Sequence, residues 1–470
     1  MMKLQTLIVA LFFVSTVHAQ NVGIGTTTPD NSAILDVSST SKGLMMPRMT
    51  TEQRKAIASP ARSLVVFDTD KICFYYFDGL KWVPMLFATH DEIPTVKWEP
   101  ADGMPDDKFG RAVCISGDYA IIGADLDDEG SNVNQGSAYI YEKANGFWTL
   151  KTKLLANDGA ANDKFGFSVS LSGNYAIIGA INSNNNEGAA YIFFRDNGTW
   201  LQQSKLAIAG SLNIAESVSI SGDYAIISDP ESTVGSNPRQ GCAWIYVRTG
   251  TSWTQQAQLI SNTGVSHGNF GSSVSISGDD AVVGYPSDNS YVGCTYVFVR
   301  NGTQWNEQDR FCDPNNQMGL FGWSVTISSN TIVVVKLFPA KQVCVFIRTG
   351  TTWALQQTLN SSGPLFEPGF ASSISISGDY LIVGSDAAKV YSYDPGSNNG
   401  AALIFKRTGV TWSLARVVRD PGGSGGHALG SSVSINGNNI LVGAPNASSN
   451  IPFGGYNPGK GRVLFLNIEE

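Results

Sequence analysis

Histidine is scarce, with four residues in a chain of 470. One of the four, His18, lies in the first twenty residues. That scarcity counts against a multi-histidine metal site and against a Ser-His-Asp hydrolase. Charge is thin as well: Lys, Arg, Asp and Glu make up 15% of the chain, against ~25% in ordinary domains. Long solvated helices are therefore disfavoured. The net charge of −8 comes without any Lys/Arg cluster, which counts against the phosphate neutralisation that non-specific nucleic-acid binding needs, and no nucleic-acid partner is expected. No CxxC pair exists, which removes the usual zinc-ribbon and thioredoxin-like readings. Apolar runs stay well short of the ~20 residues a membrane-spanning helix needs. Glycine, by contrast, is abundant at 50 residues. Few charges with many glycines point to short strands joined by tight turns.

The first residues read as an address. Lys3 precedes an apolar run from Leu7 to Val14, and Val17-His18-Ala19 supplies small residues at the −3 and −1 positions. This predicts a signal peptide over 1–19, cut between Ala19 and Gln20. The mature chain is then periplasmic, cell-surface or extracellular. Export permits disulfides among Cys73, Cys114, Cys242, Cys294, Cys312 and Cys344, but their spacing singles out no pairing. Cys242 and Cys294 stand where other copies of a repeat carry Ala189 or Ala401, and read as small buried packing residues.

That repeat is the dominant feature. Residues 165–180 read FGFSVSLSGNYAIIGA and residues 270–284 read FGSSVSISGDDAVVG. Related stretches start at Phe109, Ile214, Phe321, Phe370 and Leu429. Their central turns fall at Ser116, Ser172, Ser221, Ser277, Ser328, Ser377 and Asn436, between 49 and 59 residues apart. Six copies carry four strand signals and the seventh carries three. Strand one alternates, and a Gly-Asp or Gly-Asn turn suited to strand twist follows it. Strand two is a continuous apolar run, the mark of burial on both faces. After a variable loop comes strand three, and a turn then leads to a strand opened by Trp148, Trp200, Trp253, Trp305, Trp353 or Trp412. These tryptophans are predicted to pack between blades, because all copies but the last carry one.

The pattern predicts an all-β chain containing a seven-bladed β-propeller of four-stranded antiparallel blades over 95–470. The seventh copy ends after its third strand, Arg462–Leu466, while a spare strand, Thr95–Trp98, precedes the first. Pairing the two closes the ring.

The units resemble FG-GAP repeats, the blades of the integrin α-chain propeller and of many secreted bacterial proteins. Phe165-Gly166 with Gly179-Ala180, Phe109-Gly110 with Gly123-Ala124, and Gly443-Ala444-Pro445 carry the likeness. Ile214-Ala215, Ser228-Asp229-Pro230 and Val335-Lys336 depart from it. Integrin-type repeats often hold calcium between strands one and two. Here that loop has shrunk to turns such as Gly117-Asp118 and Gly222-Asp223, too few oxygens for calcium. The weak candidate for a cation lies elsewhere, at Asp125, Asp127, Asp128 and Glu129, where a solvated loop is the simpler reading. No cofactor is expected.

Between signal and propeller, residues 21–29 (NVGIGTTTP) and 43–57 (GLMMPRMTTEQRKAI) resemble an N-terminal module of exported proteins from Bacteroidetes-type bacteria, similar to tail-fibre-like proteins. The resemblance implies a β-rich module over 20–85 and a homo-oligomer formed through it. Thr50 and Gln53 have capping-box spacing, predicting a helix over 51–58. Strands are expected over 64–68, 72–77 and 81–84 around an Asp78-Gly79 turn, and a linker over 86–94.

Three functions remain open: an exported binding or adhesion protein for an extracellular protein or glycan, a structural part of a surface appendage, and a polysaccharide-acting enzyme. Two carboxylates suffice for glycoside hydrolysis, but no residue here stands out as catalytic. His267 and His427 read as ordinary polar loop residues. Loops 125–136, 229–240, 285–292, 385–399 and 444–460 vary most and emerge on one face of the ring. Variable loops on a rigid scaffold carry specificity. Tyr285, Tyr291, Tyr391, Tyr393, Phe453 and Tyr456 are the expected exposed ligand contacts.

Overall fold

Alternating strands, buried strands and two-residue turns resolve into seven four-stranded antiparallel sheets in a computed structural model of the chain. It describes residues 22–28, 32–70, 73–85, 95–313, 317–360, 369–388, 399–420, 426–447 and 459–468. The signal-peptide stretch 1–19 and the linker 86–94 lie outside them. The chain divides into two compact units, Met1–Glu92 and Ile93–Glu470.

In the first unit, Thr50 and Gln53 form the capping box at the start of a short helix, Thr51–Lys55. The helix stops earlier than its sequence signal. It belongs with a sheet of Arg48–Met49, Val65–Asp68, Cys73–Phe77 and Trp82–Met85. Arg54 is buried at its centre, 2.8 Å from Asp68 and stacked over Tyr75 at 3.8 Å. A separate pair of strands, Val22–Ile24 and Leu35–Val37, runs parallel.

The second unit is the propeller. Blade one consists of Ala112–Ser116, Tyr119–Ala124, Ser137–Ala144 and Phe147–Leu154, each strand paired with the next. Blade seven takes three strands from the end of the chain, Ser432–Asn436, Asn439–Ala444 and Arg462–Asn467. Its fourth is Val96–Trp98, with Trp98 opposite Val463 and Val96 opposite Phe465. Innermost strands of successive blades pack in order around the ring, and the last, Ser432–Asn436, packs on the first, Ala112–Ser116. The ring is closed.

The serines of strand one have a reason that alternation alone does not reveal. An innermost strand has an unpaired edge, and its amides need acceptors. Hydroxyls of the preceding blade supply them. Ile220 N–H donates to Ser170 Oγ at 3.2 Å and Gly222 N–H to Ser172 Oγ at 3.0 Å. Ile276 and Gly278 donate likewise to Ser219 and Ser221. Ile115 N–H donates to Ser434 Oγ at 3.0 Å, carrying the ladder across the closure.

The two glycines of the repeat signature also meet between blades. Gly166 adopts φ +96, and a Cβ on Gly123 of blade one would lie 1.9 Å from the Gly166 carbonyl oxygen. The phenylalanine before each such glycine is fully buried, as in Phe109, Phe165, Phe270 and Phe321, and so is Phe370, which precedes Ala371.

Charge fastens the closing strand. Asp420 accepts from Lys97 Nζ at 2.7 Å and Arg462 Nη1 at 2.6 Å, and Arg462 Nε donates to Glu99 at 2.6 Å. His427 lies beside Asp420, its Nδ1 at 3.8 Å. It is buried there, not the ordinary loop residue its sequence position suggested. Burial alone would raise the Asp420 carboxyl, but His427, Lys97 and Arg462 outweigh it and hold the group well below the usual carboxylate range. A depressed folded value gives stability that is present above the unfolded value and lost as pH falls. Asp420→Asn should cost about 1.5–3 kcal/mol at neutral pH. The gap between the two proteins should narrow between about pH 5 and 2. Urea midpoints measured across that range check it; a constant gap would exclude the charge as the cause.

Candidate functional site

Strand order within each blade sends the one-to-two and three-to-four turns to one face of the propeller. The two-to-three loops and the connections between blades emerge on the other. On this second face a basic side chain of strand four meets acidic side chains of its blade's two-to-three loop or of the connection that enters the blade. Lys153 Nζ is 3.0 Å from Asp102, 2.9 Å from Asp127 and 3.2 Å from Glu129. Lys205 meets Asp158 at 2.7 Å in blade two, and Arg310 meets Asp288 at 3.1 Å in blade four.

The acidic stretch of blade one is thereby absorbed into the fold. Asp127 is buried and also accepts from Ser137 and Tyr139. Asp128 accepts from the Asn134 amide at 2.8 Å. Asp125 is buried, its Oδ2 3.9 Å from Arg111 Nε. Burial raises its carboxyl above the ordinary range, with Arg111 opposing. The solvated-loop reading is corrected for Asp125 and Asp127, and the cation facing Asp127 and Glu129 is a lysine ammonium. Among the described residues no group of three or more His, Cys, Asp or Glu is arranged to hold a metal ion.

The expected aromatic contacts divide. Tyr291 is 54% exposed. Tyr285 is fully buried, and this corrects its assignment as a surface contact. It ends strand two, where other blades place Ala124 or Ala180 against the preceding blade, and it packs with Ala243 and Ile245 of blade three. Its ring packs edge-on to Phe270, and its hydroxyl accepts from the Val265 amide at 3.3 Å. Tyr391, Tyr393, Phe453 and Tyr456 lie outside the described residues.

Three further exposed side chains adjoin Tyr291 on hydrogen-bonded loops: Met318, Trp323 and Phe338. The Tyr291 carbonyl accepts from Gly319 at 2.9 Å and Leu320 at 3.0 Å, and the Gly319 carbonyl accepts from Leu337 and Phe338 at 2.8 and 3.1 Å. Trp323 N–H donates to the Leu320 carbonyl at 3.2 Å. The loops are anchored from below. Cys294 and Cys312 form a disulfide between strands three and four of blade four, where these loops leave the sheet. Cys294 is therefore a cross-link as well as a packing residue, while Cys242 is buried and free. Lys336 Nζ and Asp313 make an ion pair of 2.8 Å, both side chains at most 2% exposed.

Tyr291 itself sits at φ 70, in the left-handed region, where blade two carries Asn186. Asparagine tolerates that region, whereas a bulky side chain there is an outlier costing on the order of 1–3 kcal/mol. Sequence reasoning missed Met318, Trp323 and Phe338, although two breaks in the repeat pointed at them. Val335-Lys336-Leu337 stands where Gly-Ala-Pro belongs, with Phe338 next, and Trp323 follows Phe321-Gly322 where three other copies have serine.

The FG-GAP repeat family matches residues 95–141, 148–193 and 253–298. These three stretches are FG-GAP repeats. LVIVD repeats match 213–232 and 368–388, in the two copies where alanine (Ala215 and Ala371) follows the opening apolar residue. Residues 23–96 match the phage tail like trimerisation region. No curated protein matches the chain. Among solved structures, the crystal structure of Saccharomyces cerevisiae Sqt1 is similar at 8% identity and a TM-score of 0.44, covering 78% of this chain and 97% of that one.

Proposed function

We propose that this FG-GAP propeller is an exported, non-catalytic binding protein. It offers the patch of Tyr291, Met318, Trp323 and Phe338 to an extracellular protein or glycan, and it assembles with itself through residues 20–85. The strained Tyr291 carries the reading: a conformation that costs stability is retained where it presents an aromatic ring on the variable-loop face. A disulfide, a buried ion pair and three mutually bonded loops pre-order that surface, which lowers the entropy lost on binding. Exposed aromatic side chains in pre-ordered positions are typical binding anchors. The disulfide supports an oxidising compartment, in keeping with the signal-peptide reading of residues 1–19. A structural role in a surface appendage is the second reading, favoured by the trimerisation-region match.

The test is binding of the purified chain from Gln20 onward to glycan arrays and to intact cells. Tyr291→Ala combined with Phe338→Ala should weaken binding at least tenfold while leaving the melting temperature within a few degrees. Asp379→Ala, on the short-turn face, should change nothing. Binding that survives the double variant and is lost in Asp379→Ala would place the site on the opposite face.

A further inference from the structure

The paired strands Val22–Ile24 and Leu35–Val37 have two unlike faces. Their parallel register sets Val22 beside Leu35 and Ile24 beside Val37, with Gly23 beside Asp36 between them. Side chains alternate along a strand, so Val22, Ile24, Leu35 and Val37 share one face and Gly23 with Asp36 the other. All four apolar residues are open to solvent, from 41% to 56% exposed. Ile34, Leu44 and Met45, nearby in the chain, are more exposed still, at 83%, 67% and 72%.

Two three-residue strands cannot sustain themselves in water, because a two-stranded sheet needs a third strand or a packing partner. Apolar surface of this kind, contiguous and on one face, marks an interaction site. The pattern of apolar-Gly-apolar and apolar-Asp-apolar is that of a sheet with one face designed for burial.

We infer that the Val22, Ile24, Leu35 and Val37 face is the contact through which three copies of this chain meet. The inference rests on the reading that residues 20–85 assemble, and it names the surface and the partner. A second and a third copy suit the face for two reasons. The trimerisation-region match begins at residue 23, inside this strand pair. A threefold axis also brings the same patch of each chain to the centre and closes the assembly. The side of Gly23 and Asp36 then lies away from the contact. Meeting there, three chains hold three propellers on one particle. Linked sites of this kind raise apparent affinity by about 10²–10⁴-fold without new contacts.

The experiment measures the mass in solution, by light scattering, of the chain from Gln20 onward at micromolar concentration. The wild type should have three times the mass of one chain. Ile24→Glu combined with Leu35→Glu should give single chains with an unchanged propeller melting temperature, while Asp36→Lys, on the opposite face of the same strands, should remain a trimer. A wild type of one or two chains would overturn the assembly reading itself. A trimeric wild type whose double variant stays trimeric would overturn only the surface named here. So would loss of the trimer in Asp36→Lys, because disruption would then follow from disturbing the strands and not from charging one face.

Discussion

A chain that begins at Gly103 is expected to aggregate, while one that begins at Asp91 stays soluble and monodisperse. The shorter chain lacks Val96–Trp98 and so exposes the edge of Arg462–Asn467 along its length, and an unpaired edge recruits other chains. It also loses Trp98, whose ring stacks between Tyr141 at 4.2 Å and Phe465 at 5.5 Å. Removing a buried tryptophan alone costs about 3–5 kcal/mol. Lys97 and Glu99 go with it, leaving Arg462 buried with Asp420 but without its second carboxylate. Size-exclusion chromatography with light scattering separates the outcomes. Equal solubility and equal melting of the two chains would mean that blade seven does not depend on this strand.

Trp253→Ala should destabilise the propeller by about 3–5 kcal/mol. Its indole is buried, packs edge-on to Tyr175 of the preceding blade at 5.9 Å and donates to Gln203 of that blade at 3.0 Å. Arg248 covers the same tyrosine at 4.7 Å. The arrangement recurs with Trp305, Tyr224, Gln256 and Arg300, so it belongs to the scaffold and not to one ligand. Leu201→Ala, at a position 54% exposed on the neighbouring outer strand, should stay within about 0.5 kcal/mol. Thermal or urea unfolding of both variants measures the difference. An unchanged Trp253→Ala curve would deny the indole a packing role.

The candidate site was less legible than the fold. Tyr285 and Tyr291 stand six residues apart and looked equivalent, yet one is fully buried and the other open. Tyr285 ends a strand on the side that the preceding blade covers, whereas Tyr291 follows a left-handed Asn289-Ser290 turn that lifts it clear. Such a turn leaves only a faint mark in sequence. Met318 carries no motif and Trp323 only a break in one, and they adjoin Tyr291 because Gly319 and Leu320 bond to its carbonyl. The disulfide was similarly hidden. Cys294 and Cys312 are eighteen residues apart, and only the register of strands three and four sets them side by side.

Sequence alone determined the seven copies, the four strands of each blade and their antiparallel order. Period-two alternation, fully apolar strands and glycine turns are local signals, and repetition averages out their noise. It determined the capping box at Thr50 in the same way, since both partners lie within four residues. The tertiary structure decided whatever depended on another blade: the serine hydroxyls that satisfy the next strand's amides, the glycines that meet across an interface, and the lysine that neutralises the acidic loop. It decided the aromatic surface for the same reason. Burial is set by what a neighbouring blade places on top of a residue, and that neighbour lies some fifty residues away along the chain.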